Sequence, residues 1–106
     1  MTLEQLRMLV QVAELGSLKG ASETLFKTQP AISQGIKQLE TQLSLQLFSR
    51  QGYRLLLTDN GKQIYQHALR LLNEAKQIKQ LASFLTAGNE ATVTIAIEAS
   101  YDLKKI

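Results

Sequence analysis

The sequence predicts a mainly α-helical fold: three short helices, a small β-hairpin, and then one long helix. Three observations predict it. Apolar residues recur at helical spacing in three consecutive segments, each opened by a Ser or Thr able to cap it. Two short β-prone runs, residues 45–50 and 53–57, flank a turn at Gln51-Gly52. Beyond Thr58, apolar residues repeat at alternating intervals of four and three as far as Leu85.

Thr2, with Gln5 three positions on, has the form of a capping box, and Leu3, Leu6, Leu9, Val10 and Ala13 mark one face of the first helix. Gly16 ends it. Ser17 caps the second helix, residues 18–26, in which Leu18, Ala21 and Leu25 share a stripe. Gly20 and Ala21 are small enough to let another helix approach closely. Thr28 caps the third helix, and Pro30 fits its first turn because the missing N–H would have no intrahelical partner.

That third helix has two opposed faces. At 100° per residue, Ile32, Ile36, Leu39 and Leu43 form a narrow apolar stripe, with Pro30, Ser33, Gln34, Lys37 and Thr41 opposite. The outer face is neutral to basic and carries no carboxylate, whereas an ordinary solvated face mixes Glu with Lys. Amide and hydroxyl side chains on a helix are what base edges and phosphates in a DNA major groove accept. Two short helices with a tight joint, the second presenting such a face, form a helix-turn-helix. The hairpin that follows is then a wing, with Arg50 and Arg54 flanking its tip in reach of phosphates or a narrow minor groove. In isolation it would read as a solvated hairpin with two ordinary arginines. Beside this helix pair, the winged helix-turn-helix is the better reading.

Thr58 caps the long helix, expected over residues 59–88. Ile64, Ala68, Leu71, Ala75, Ile78, Ala82 and Leu85 form an unbroken heptad pattern, the seam of a coiled coil. Large residues alternate with alanine, which favours a close, antiparallel pair. The alternative is one amphipathic helix packed on its own domain. Yet a helix of about 30 residues spans about 45 Å, longer than the core of so small a domain. A second copy of the chain is the simplest cover for the remainder. Residues 91–98 then alternate like a strand with no sheet to join. Either that strand pairs with another chain or the sequence is the front part of a longer protein, and the second reading is favoured.

Composition sets the outer bounds. With 106 residues and 44% hydrophobic content, the chain is one small globular domain, or one with an appendage. A net charge of +3 and a pI near 9.3 are compatible with a nucleic-acid partner. The absence of cysteine excludes a disulfide framework and thiolate metal sites, and fits a reducing compartment. No apolar run is long enough for a signal peptide or membrane span, so a cytoplasmic protein without membrane contact is expected. His67 is the only histidine, with no cysteine or paired carboxylate near it in sequence. There is no phosphate loop, no metal-ligand spacing and no nucleophile motif, so no enzyme, cofactor or metal site is expected.

From residue 1 to about residue 87 the sequence resembles the N-terminal half of a LysR-type bacterial transcriptional regulator. The resemblance rests on Ser17-Leu18 followed by Ala21, on Thr28-Gln29-Pro30-Ala31-Ile32-Ser33, and on Ile36-Lys37-Gln38-Leu39-Glu40. Leu47-Phe48-Ser49-Arg50 and Leu57-Thr58 with Gly61 complete it, in the family's order and spacing. It implies a winged helix-turn-helix over residues 1–58, a dimerising linker helix over 59–88, and in 89–106 the start of a truncated C-terminal effector-binding domain. A small-molecule effector would act only through that domain. The family pattern places DNA contacts at Thr28, Gln29, Pro30, Ala31, Ser33, Gln34 and Lys37, and in the wing at Arg50 and Arg54. The function so implied is sequence-specific binding of double-stranded DNA, at an inverted-repeat operator, by a homodimer. The alternative is an interaction or dimerisation module that binds no DNA.

Several positions depart from the family pattern. Gly20 stands where a second alanine is usual, which should loosen the second helix, and Asn60 stands where alanine is common. Ser44 replaces the usual glycine after the recognition helix, so another kind of cap is expected there. Gln34 and Gln38 occupy positions that are often basic, which implies fewer phosphate contacts than in a typical member.

Overall fold

The computed structural model describes residues 1–88, so the strand expected over 91–98 lies outside the described residues. The elements are α1 (Leu3–Leu15), α2 (Leu18–Leu25), α3 (Gln29–Leu43), β1 (Phe48–Gln51), β2 (Arg54–Leu57) and α4 (Asp59–Gly88). The chain divides into two compact units, Met1–Leu72 and Asn73–Ile106. The first holds α1 to β2 and the opening turns of α4. The second is described only over residues 73–88, the remainder of α4.

Within the first unit, α1 is the hub, packed against α2, α3 and β2. Its burial therefore exceeds a single stripe: Met8 and Val12 are buried as well as Leu6, Leu9 and Val10. The capping box forms as expected, with the Gln5 amide donating to Thr2 Oγ1 at 3.1 Å and the Thr2 amide to Gln5 Oε1 at 3.1 Å. Gly16 takes the left-handed conformation at φ 71°, and Ser17 caps α2 by accepting from the Gly20 amide. Thr28 caps α3 by accepting from the Ala31 amide.

Of the two small residues expected to permit a close helix approach, Ala21 is completely buried. A Cβ on Gly20 would meet only Leu15 and Ser17 of the preceding turn. At Gly35, by contrast, a Cβ would overlap Sδ of Met8 on α1, so a larger residue there would have to displace the end of that side chain.

The hairpin is shorter than expected, and its turn is displaced by one residue. Phe48 pairs with Leu57 and Gln51 with Arg54, leaving Gly52-Tyr53 as a two-residue turn with Gly52 at φ 62°. Residues 45–47 stay outside the ladder because their backbone groups are committed elsewhere. The Leu45 amide donates to the Glu40 carbonyl at 3.1 Å, and the Leu47 amide to Glu40 Oε2 at 2.6 Å. The Gln46 carbonyl accepts from Thr58 Oγ1 at 2.6 Å, and the Leu47 carbonyl from the Thr58 amide at 2.9 Å.

Thr58 also caps α4, accepting from the Gly61 amide at 2.9 Å. Inside the first unit, Ala68 is fully part of the core, and Ile64, Tyr65, Leu69 and Leu72 pack partly buried against it. Tyr65 donates its hydroxyl to Glu14 Oε2 at 3.1 Å and so ties α4 to α1. Desolvation, then that hydrogen bond and the Glu14 charge, hold its phenol pKa above the ordinary value.

No different cap replaces the glycine missing at position 44. Ser44 itself adopts the left-handed conformation, φ 55°, with its amide donating to the Glu40 and Thr41 carbonyls. A non-glycine residue there costs about 1 kcal/mol. Ser44→Gly is therefore predicted to stabilise the domain by up to about 1 kcal/mol, after allowing for the freer unfolded chain. Urea unfolding measures it, and a destabilised variant would show that the Ser44 side chain does something the cap geometry does not require.

Candidate nucleic-acid interface

The inner face of α3 sets the outer one. Ile32 and Leu39 are completely buried and Ile36 nearly so, which turns Gln29, Pro30, Ala31, Gln34 and Lys37 outward as exposed residues. Ser33 lies half-buried at the edge of that face, and Thr28 is exposed at its start, its hydroxyl capping the helix. Gln38 turns back to α1, where its Oε1 accepts from Gln5 Nε2 at 3.4 Å. Thr28 and the six α3 positions singled out in the sequence thus lie away from the buried stripe of Ile32, Ile36 and Leu39.

The two arginines of the hairpin do not behave as a pair. Arg50 registers opposite Leu55 and Arg54 opposite Gln51, so alternation along the strands sends them to opposite faces. Arg50 is exposed and lines a cleft with Ser33, Lys37 and Glu40 that is floored by Leu18, Ile36, Phe48 and Leu55. The Arg54 guanidinium lies across Gly16, where a Cβ would come within 3.3 Å of Nη2. It therefore sits at the C-terminal end of α1, where the helix dipole favours a cation. Both arginines thus flank the turn, as expected, but on opposite faces of the hairpin.

Two residues of the site escaped the sequence reading. Lys19 is exposed and shares a second cleft with Ser17, Gln29, Arg50 and Tyr53. Its signal was available: it is the one cation of α2, just past the Gly16 joint. Glu40 is the one carboxylate of α3, and it is turned inward, accepting from the Leu47 amide at 2.6 Å and the Phe48 amide at 3.4 Å. No periodicity could show that, because its partners lie beyond the end of the helix.

Charge on this side is uncompensated. Among the described residues, the ion pairs join Glu4 to Arg7 and Lys27, at 3.4 and 3.5 Å, and none engages Lys19, Lys37, Arg50 or Arg54. No group of three or more His, Cys, Asp or Glu side chains comes together among them, and no helix is long and apolar enough to cross a membrane.

The expected dimer seam divides in two. Ala68 is closed inside the first unit's own core, and Ile64 is half-buried against it. Further along α4, Leu71 is 45% and Ile78 62% exposed, Ala82 and Leu85 are exposed, and Ala75 is half-buried. Leu81 and Phe84, outside the heptad positions, are also exposed, Phe84 by 72%.

Comparison with known proteins follows the same lines. The family model described as bacterial regulatory helix-turn-helix protein, lysR family, matches residues 3–62. The HTH-type transcriptional regulator CfxR of Cupriavidus necator is 36% identical over 97 residues, covering 92% of this chain and 31% of CfxR. The chain thus spans about a third of that relative's length. Among solved structures, the BenM DBD in complex with catB site 1 DNA is similar at a TM-score of 0.78 and 33% identity, over 83% of this chain and 95% of that one. The CbnR DBD–DNA complex is similar at a TM-score of 0.75 and 28% identity, over 81% of this chain and 99% of that one. With the family match covering more than half of its length, this chain belongs to the LysR family of bacterial regulatory helix-turn-helix proteins.

Proposed function

We propose that this chain binds double-stranded DNA sequence-specifically, as a homodimer, and forms the DNA-binding part of a transcriptional regulator acting in the cytoplasm. The observation that carries the proposal is the outer face of α3. Gln29, Pro30, Ala31, Gln34 and Lys37 are exposed there, and the helix's only carboxylate is turned away onto backbone amides. In this reading Thr28, Gln29, Pro30, Ala31, Ser33, Gln34 and Lys37 enter the major groove. Gln and Ser contribute neutral donors and acceptors to base edges, and Lys37 a charge to phosphate or a guanine edge. Arg50 extends the contact from the wing, and Lys19 serves the same phosphate path. Arg54 reaches the backbone from the α1–α2 joint. That solved complexes of similar domains hold DNA supports the reading.

The exposed Leu71, Ile78, Ala82 and Leu85 of α4, with the half-buried Ala75, are proposed as the seam against a second copy. Two copies present two α3 helices, so the target is an interrupted inverted repeat. Response to a small-molecule effector is not assigned to these residues, which match only about a third of the length of CfxR.

Three outcomes are predicted. Replacing Ser33 and Lys37 together by Ala abolishes specific binding in a gel-shift assay while circular dichroism and light scattering stay unchanged. Undiminished affinity would instead favour an interaction module that uses the helix pair only for packing. Arg50→Ala and Arg54→Ala each weaken binding, and each lowers the slope of log K against log salt by about one per lost phosphate contact. A slope equal to wild type means that the arginine in question touches no phosphate. Ala75→Glu places a charge in the seam and yields monomers by light scattering; a persistent dimer would move the interface elsewhere.

A further inference from the structure

We infer that Tyr53, at the tip of the hairpin, enters the minor groove next to the major groove that α3 occupies and selects A·T pairs there through its hydroxyl, as a specificity-determining residue. This rests on the DNA-binding reading above and deepens it, and every residue it uses belongs to the first unit.

Tyr53 is 99% exposed, and its hydroxyl has no hydrogen-bond partner among the described residues, whereas the Tyr65 hydroxyl is taken up by Glu14. A single exposed apolar side chain is ordinary on a protein surface. What separates Tyr53 from that case is where it stands and how firmly it is held. Gly52 has a φ of 62° and Tyr53 no positive φ, the sign pattern of a type II′ turn, whose twist matches that of the flanking strands. Behind the turn the hairpin is fastened on both strands. The Leu55 amide donates to the Gly16 carbonyl at 3.1 Å, and the Thr58 amide to the Leu47 carbonyl at 2.9 Å. A Cβ on Gly52 would meet nothing within 4 Å, so the tip stands clear of the rest of the domain. The ring is presented to solvent by a rigid support rather than packed on a core.

The cleft beside the ring carries charge of one sign. Tyr53 shares it with Ser17, Lys19, Gln29 and Arg50, and Arg50 also lines the cleft that holds Ser33 and Lys37. With α3 in the major groove, Lys19 and Arg50 follow the phosphate strand that borders it, and the far side of that strand is the minor groove. The tip lies two residues beyond Leu55, about 7 Å at strand spacing, which carries Tyr53 towards that far side. The ring bears no charge, so phosphate is not its natural partner. The minor groove is about 6 Å wide and presents only acceptors at A·T pairs, whereas a G·C pair adds the guanine amino group. A tyrosine brings a flat apolar body with a hydroxyl at its end. That hydroxyl can donate to adenine N3 or thymine O2, and at a G·C pair the amino group stands in its way. A cation in the same place would draw on the groove's negative potential and weaken with salt, and a neutral ring does not.

The test is selection of bound duplexes from a random library by the full chain at near-physiological salt, for wild type, Tyr53→Phe and Tyr53→Ala. Full exposure of the side chain leaves the fold of both variants undisturbed. Wild type is expected to select A·T pairs beside each half-site. Tyr53→Ala is expected to recover the same half-site with the flanking preference gone. On an A·T-flanked duplex its affinity should fall by about tenfold, and on a G·C-flanked one by less than about twofold. The slope of log K against log salt should match wild type, because no charge is removed. Tyr53→Phe keeps the ring and loses the donor, and is expected to lose the flanking preference as well. Retention of that preference by Tyr53→Phe would overturn the role given to the hydroxyl. An equal loss of affinity for every flank would place the ring on the sugar–phosphate backbone, and no change at all would leave it in water; either result overturns the inference. Failure of folded wild type to bind any duplex would instead sink the underlying DNA-binding reading, and the inference with it.

Discussion

The rest of the domain depends on the pair of hydrogen bonds on the Leu47 peptide, its amide donating to Glu40 and its carbonyl accepting from Thr58. A two-stranded hairpin alone is marginally stable in water and has to be fastened to something. Here the fastening begins with a side chain, since complete burial of Leu47 draws its peptide out of water and obliges both polar groups to find partners. Without the carboxylate, the amide would remain buried and unpaired at a cost of about 1–3 kcal/mol. A second pin, the Leu55 amide on the Gly16 carbonyl at 3.1 Å, holds the other strand to the end of α1. Between these two points the hairpin is held beside α3, and Arg50 comes to share a cleft with Ser33 and Lys37.

The same carboxylate also shapes the electrostatics. A net charge of +3 is too small to mark a nucleic-acid protein, so the distribution of charge matters more than the total. Glu4 is taken up by Arg7 and Lys27, Glu14 by the Tyr65 hydroxyl, and Glu40 by backbone amides. The two ion pairs are exposed, and such pairs contribute at most about 1 kcal/mol to stability. Their larger effect is on placement. Carboxylates are occupied along α1 and behind α3, while among the described residues Lys19, Lys37 and Arg50 form no ion pair on the side where phosphates are proposed to lie.

What could be read from the sequence follows the range of the interaction responsible. The caps at Thr2, Ser17 and Thr28 act over three residues and formed as read. The two faces of α3 follow from its period, and the exposed and buried residues fall where the period puts them. Errors arose where distant groups decide. Residues 45–47 have strand character, yet Glu40 and Thr58 claim their backbone groups before β2 can. Ser44 takes a glycine-like conformation because α3 must end where the chain turns towards that anchor. Arg50 and Arg54 stand close about the turn in sequence, but Arg54 pairs with Gln51, the neighbour of Arg50, so strand alternation puts the two on opposite faces.

The long helix shows why periodicity cannot name a partner. Ile64, Ala68, Leu71 and Ile78 belong to one pattern, and the pattern says only that this side of the helix is apolar. Ala68 is covered by the domain's own core, whereas Ile78, under three turns further on, is 62% exposed. The helix packs on the domain up to about Leu72, and Ile78, Leu81 and Phe84 further along it are exposed. Burying apolar surface yields about 25 cal/mol per Å², and leaving Leu71, Ile78, Leu81 and Phe84 in water forgoes it along the whole face. Length decides what the period leaves open. A domain of this size can cover only the first turns of a helix of about 45 Å, so its core does not account for the apolar positions further along the helix.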